Sequence, residues 1–235
     1  MPFLALLEAD LANRTRSWVM RIWSGLMVML SLLTLPDGLA EGRAAEALAG
    51  LLGTFPLIWS TFVIIVSSGA ISSEAGVVAD SILSKAVTRY EYVLAKITSR
   101  LLTVLGLYLL VVLPPVYIIL RASQDSLSGS GVAWAVLLVA MMLVLLTSMS
   151  VAFSALFNRT LAAIVVSWML WYVASNVFAL LGARYLAPLQ IIDGLPDMLQ
   201  GDYVVAEHLR AVVGLGGLSC VFVLVAVFYF GRKDL

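Results

Sequence analysis

Residues 132–153 read VAWAVLLVAMMLVLLTSMSVAF, and no position in that stretch carries a charge. An amphipathic helix of a soluble domain would turn polar side chains outward every three or four residues, and a barrel strand would alternate them. This segment does neither. It is apolar on every side and long enough to cross a hydrocarbon core of roughly 30 Å as a helix, the structure that satisfies its own backbone in lipid.

The rest of the chain follows from this stretch. Hydrophobic residues make up 62% of the sequence and charged residues only 12%, against about 45–50% and 25% in soluble domains. Five further apolar runs join the first, giving six expected spans: about Trp18 to Leu35, Ala47 to Ile71, Ile97 to Leu120, Val132 to Phe157, Leu161 to Leu181 and Ala211 to Phe230. No connecting segment is long and polar enough for a separate soluble domain, so residues 1–235 are expected to form one all-α transmembrane domain. The first run is read as a retained span because it follows a charged leader and lacks a small-x-small cleavage site. The lone Cys220 lies in an apolar run and is expected to be a buried small side chain.

Orientation follows from basic residues. Arg14, Arg16, Arg21, Lys85, Arg89, Lys96, Arg100, Arg159, Arg232 and Lys233 fall on one side of this topology, and Arg43, Arg121, Arg184 and Arg210 on the other. The richer side is expected to be cytoplasmic, with both termini inside. The leader, PFLALLEADLANRTRSW, places Leu4, Leu7, Leu11 and Trp18 close to one helical face, with Glu8 and Arg16 turned away. An interfacial helix fits, although Arg14 falls on the apolar side.

The inner segment Ser72 to Lys96, SSEAGVVADSILSKAVTRYEYVLAK, holds charges of both signs between two spans. Val78 and Ile82 share a face, flanked by Leu83, which predicts a short amphipathic helix from Glu74 to about Ser84. Thr88 with Glu91 three residues later is a capping-box pattern that starts a second helix, which continues through Lys96 and Arg100 into the third span. Such a helix either presents a ridge to a cytoplasmic partner or lies on the membrane as a connector. The segment from Gly182 to Arg210 is too apolar for a free outer loop, and is expected to hold two short interfacial or re-entrant helices broken near Asp193 and Gly194.

Several function classes lack their residues. There is no G-x-x-x-x-G-K-[ST] loop, so a nucleotide has no phosphate cradle. His208 is the only histidine, which excludes a two-histidine zinc motif. A secondary transporter would be expected to carry ionisable groups near the midplane, whereas Arg21 and Arg100 sit close to predicted span ends. The hydroxyls and amide along the spans (Ser60, Thr61, Ser67, Ser68, Thr147, Ser148, Ser150, Ser154, Ser167, Ser175 and Asn176) are read first as helix-packing residues.

Glu74, Gly76, the ILS at 82–84, Arg89 and Lys96 resemble the loop between the second and third spans of the ABC type-2 membrane-permease family. Ala86 stands where that family has a proline. The interfacial leader, the minimal turn FNRT at 157–160, the outer LAPLQIIDGLPDMLQG and the short basic tail agree with it. The resemblance implies a permease subunit of an ATP-driven exporter in the inner (cytoplasmic) membrane, paired with a second permease copy. The ATPase would be a separate cytoplasmic chain carrying the ATP and Mg, so this chain would be no enzyme and hold no cofactor. It would dock on Glu74, Val78, Ile82 and Leu83, helped by Asn158 and Arg159. Pro188, Gly194 and Pro196 would shape an outer gate. A mildly polar path suits an amphipathic or lipid-linked cargo. The alternatives are a subunit that transmits mechanical work to, or assembles with, a periplasmic partner, and an ATP-independent secondary transporter.

Overall fold

The computed structural model describes residues 2–72 and 88–232. In chain order the helices are α1 (Pro2–Arg16), α2 (Trp18–Leu32), α3 (Leu35–Gly38), α4 (Ala44–Thr54), a π-helical turn (Phe55–Trp59), α5 (Ser60–Ser68), α6 (Arg89–Ala122), α7 (Gly129–Leu156), α8 (Thr160–Leu180), a 3-10 turn (Arg184–Leu186), α9 (Pro188–Asp193), α10 (Leu195–Gln200) and α11 (Val205–Arg232). Six stretches are long and apolar enough to cross a membrane: Trp18–Gly38, Ala44–Ser68, Arg89–Ala122, Gly129–Leu156, Thr160–Leu180 and Val205–Arg232. The chain is a multi-pass, all-helical membrane protein, and the observed spans match the expected ones to within a few residues, except that the third and sixth start earlier.

α7 is the hub. Its most apolar window is 67% buried, against 11% for the first span, and it packs on α5, α6, α8, α10 and α11. A helix without a polar face can be surrounded by other helices or by lipid, and α7 takes the first of these places. By contrast, α2 and α8 turn Trp18, Ile22, Met29, Leu161, Trp168 and Met169 outward, as lipid-facing helices do. Cys220 is exposed, contrary to expectation. α11 buries Ala211, Leu215, Ser219, Ala226 and Phe230, and the residue after Ser219 is rotated off that stripe.

The second span is interrupted at Pro56, which cannot donate a helical hydrogen bond, and the helix widens there into the π turn. Two carbonyls of this turn accept from α8: Trp171 Nε1 donates to the Pro56 oxygen at 2.9 Å and the Tyr172 hydroxyl to Leu57 at 2.7 Å. In lipid no water would replace these donors.

The two ends of the bundle are held differently. At one end Ala70, Ile71, Tyr92, Val93, Ile97, Val151, Ala152, Ala155, Ala226 and Phe230 form a second apolar cluster, joining the ends of four spans. The last turns of α11 lie here. At the opposite end Asp125 accepts from the amides of Gly42 and Ala44, each at 2.8 Å, which holds its carboxyl below the usual carboxylate range. There too Ser128 donates its amide to Leu199 at 2.9 Å, and Gly131 lies so close to the Met198 backbone that a Cβ would overlap it.

Trp171→Phe is expected to lower the unfolding free energy by about 1–2 kcal/mol, because it removes a donor from a buried carbonyl. Trp168→Phe, on the exposed face of the same helix, should change it far less; titration with denaturing detergent in mixed micelles measures both.

Candidate functional site

The leader is a helix, and the face it buries differs from the expected one. Leu4 and Trp18 are exposed, while Phe3, Leu6, Leu7, Asp10, Leu11 and Arg14 form the inward stripe, at the 3- and 4-residue spacing of a helical face. Arg14 and Asp10, which break the apolar pattern, lie at the contact itself. α1 packs on the first turns of α6, where Lys96, Ser99 and Arg100 share one face.

All three reach Asp10. Lys96 Nζ donates to Oδ1 at 2.9 Å, and the Ser99 hydroxyl and Arg100 Nη1 donate to Oδ2 at 2.6 Å each. Arg14 Nε adds a contact at 3.2 Å from within α1. The Asp10 side chain is 11% exposed and that of Arg100 only 2%. Burial pushes the Asp10 carboxyl up, but Arg100, Ser99 and Lys96 together outweigh it and hold it below the ordinary carboxylate range. We term this contact the clasp.

Its depth follows from helix length. Residues 101–122, at about 1.5 Å each, cover about 33 Å, which matches a hydrocarbon core of roughly 30 Å. A span drawn over these residues has Arg100 at its boundary, as expected from the sequence, with the earlier turns of α6 projecting beyond. The helix starts at Arg89 with the expected capping box: Thr88 accepts from the Glu91 amide at 3.2 Å, and the Glu91 carboxylate accepts from the Thr88 amide at 3.0 Å.

The expected docking residues Glu74, Val78, Ile82 and Leu83 lie outside the described residues. Both flanks of their segment are described. The amides of Ile71 and Ser72 each donate to Ser154 Oγ at 3.0 Å, and the Ser72 hydroxyl pairs with that of Thr160 at 2.9 Å. The start of the segment is thus tied to the turn between α7 and α8, where Asn158 and Arg159 are exposed. On the far flank, Tyr92 stacks on Phe230 with ring centroids 5.7 Å apart.

The expected outer helices are present. Pro188 opens α9 and is buried; Gly194 separates α9 from α10; Pro196 sits in the first turn of α10. α10 buries Leu195, Met198 and Leu199 against α4 and α7. These residues lie at the end of the bundle opposite Asn158 and Arg159. Among the hydroxyl and amide positions singled out along the spans, Thr61 and Asn176 are exposed, whereas Ser60, Ser67, Ser68, Thr147, Ser148, Ser150, Ser154, Ser167 and Ser175 are buried between helices, as packing residues are.

Asp10 and Ser99 escaped the sequence reading. The signal was available: Asp10 is the one acid on the inward stripe of the leader, and Lys96, Ser99 and Arg100 have the spacing of one helical face. No protein-family model matches this chain, and comparison with the curated proteins gives no match.

Asp10→Asn is expected to destabilise the protein by about 3–5 kcal/mol, since it leaves the buried Arg100 without its Asp10 counter-charge. For a carboxylate depressed in the folded state, the stabilisation is complete above the unfolded value and lost as pH falls through the folded one. Thermal unfolding of the wild type in detergent should therefore show a clasp contribution that is constant down to about pH 4 and declines below it. In Asp10→Asn that acid-dependent loss should be absent.

Proposed function

We propose that the chain is the membrane-spanning permease subunit of an ATP-driven exporter of the ABC type, with both termini in the cytoplasm and the ATPase on a separate chain. The observation that carries this reading is the hydrogen-bonded junction of Ser72 with Ser154 and Thr160. It sets the beginning of the segment that contains Glu74, Val78, Ile82 and Leu83 beside the Asn158–Arg159 turn. Two short cytoplasmic features, far apart in sequence, then offer one docking face. Charge supports the orientation: Arg14, Arg16, Arg21, Arg89, Lys96, Arg100, Arg159 and Arg232 gather at this end, against Arg43, Arg121, Arg184 and Arg210 at the other.

In this reading the ATPase binds nucleotide and Mg, and this chain converts its movement into helix displacement. The apolar ridge of Val78, Ile82 and Leu83 enters a groove on the ATPase, and Glu74 fixes its direction by a charge-assisted bond. Movement enters α5 through Ser72 and α6 through Thr88. The clasp carries it from α6 into α1 and so to the first span. At the opposite end, α9 and α10, hinged at Gly194 and started by Pro188 and Pro196, form the outer gate for an amphipathic or lipid-linked cargo. A second copy or a related permease completes the path in the cytoplasmic membrane.

A photo-crosslinking residue placed at Val78 or Asn158 in living cells tests the docking face. The expected adduct contains a protein with a phosphate-binding loop and ATPase activity, and Ser126, at the other end, should give no such adduct. The double variant Val78→Asp with Ile82→Asp should abolish recovery of the same ATPase with the tagged chain, because a docking ridge cannot bury two unpaired carboxylates. Adducts at Val78 and Asn158 that contain only lipid or this chain itself would defeat the proposal.

A further inference from the structure

At the joint between α1 and α2 lies an open cavity of about 400 Å³ lined by Asn13, Arg14, Arg16, Ser17, Val19, Met20 and Val66. We propose that this cavity binds the phosphate of an anionic phospholipid, with the headgroup against the arginines and the first part of an acyl chain along Val19, Met20 and Val66. The proposal depends on membrane residence alone, so it stands or falls separately from the transport reading.

The lining divides by chemistry. Arg14, Arg16, Asn13 and Ser17 bring hydrogen-bond donors to the lining, and the remaining three residues are apolar. Such a division suits a ligand whose charged end adjoins a hydrocarbon chain. The charge is unbalanced. Residues 13–21, NRTRSWVMR, hold three arginines and no acid. Arg14 gives its Nε to Asp10, and Arg16 makes no ion pair among the described residues. Arg21 stays at the same joint, with its Nε donating to the Thr15 carbonyl at 3.2 Å.

The position is that of a headgroup. The first span begins at Trp18, which is 72% exposed beside the cavity, as an aromatic residue at the membrane interface is expected to be. Ser17 precedes α2 and makes no side-chain capping bond, so its hydroxyl is available to a phosphate oxygen. Guanidinium groups suit phosphate because they offer several donors in one plane. Phosphatidylglycerol and inorganic phosphate share this chemistry, and the apolar part of the lining favours the lipid.

Native mass spectrometry of the full chain, released from detergent containing equimolar phosphatidylglycerol and phosphatidylcholine, tests the site. The wild type should retain one phosphatidylglycerol in preference to phosphatidylcholine by about tenfold, the effect of a single charge-assisted hydrogen bond. Millimolar inorganic phosphate should not displace it. Arg16→Gln should bring the preference close to unity, and Arg14→Gln should do the same if it folds; Arg184→Gln, at the opposite end, should keep it. Displacement of the lipid by inorganic phosphate would overturn the lipid assignment in favour of a free-phosphate site. Equal retention of the two lipids by the wild type, or an unchanged preference in Arg16→Gln, would overturn the site itself.

Discussion

One carboxylate sets the geometry of one end of this protein. Asp10 faces Lys96, Arg100 and Arg14 and also accepts from Ser99, in a contact where Arg100 is almost wholly removed from solvent. A buried cation at the membrane boundary is tolerable only with a partner, and the leader supplies it. The position of α1 follows. A leader that simply floated at the interface would turn its apolar stripe to lipid, whereas this one turns Phe3, Leu6, Leu7 and Leu11 inward together with Asp10 and Arg14 and leaves Leu4 exposed. The contribution of the clasp is specificity: apolar contacts would allow α1 to slide, and a carboxylate held by three donors from one helical face does not.

At the opposite end the ion pair among the described residues, Arg43 with Asp37 at 3.0 Å, is exposed and not buried between spans. That end is tied by Asp125 on the amides of Gly42 and Ala44, and by the backbone contact of Ser128 and Gly131 with α10. One end is held by a charge cluster and the other is built of short helices joined at a glycine. The proposed transport cycle makes the first the driven end and the second the gated end.

The spans were legible because twenty-odd apolar residues in lipid have one solution; the central place of α7 was not, because α8 lacks a polar face equally and is largely exposed to lipid. The capping box at Thr88 and the break at Gly194 were legible because each depends on residues within four positions of one another. The clasp was not, because it joins residues about ninety positions apart, and the same Arg14 that completes it spoils the amphipathic pattern by which a leader helix is judged. Cys220 misled for a related reason. In a membrane protein, apolar surroundings in sequence do not distinguish the interior of the bundle from its lipid-facing surface, and only the stripe of Leu215, Ser219 and Ala226 does so.

The account stands on α1 being fixed to α6 by Asp10 and not merely resting on the membrane. Hydrogen exchange of the α1 amides in lipid nanodiscs, compared between the wild type and Asp10→Asn at neutral pH, tests this directly. Strong protection of α1 in the wild type, lost selectively in Asp10→Asn while α7 is unchanged, is the predicted result. Equal protection of α1 in the two proteins would show that lipid alone holds the leader, and would contradict the account.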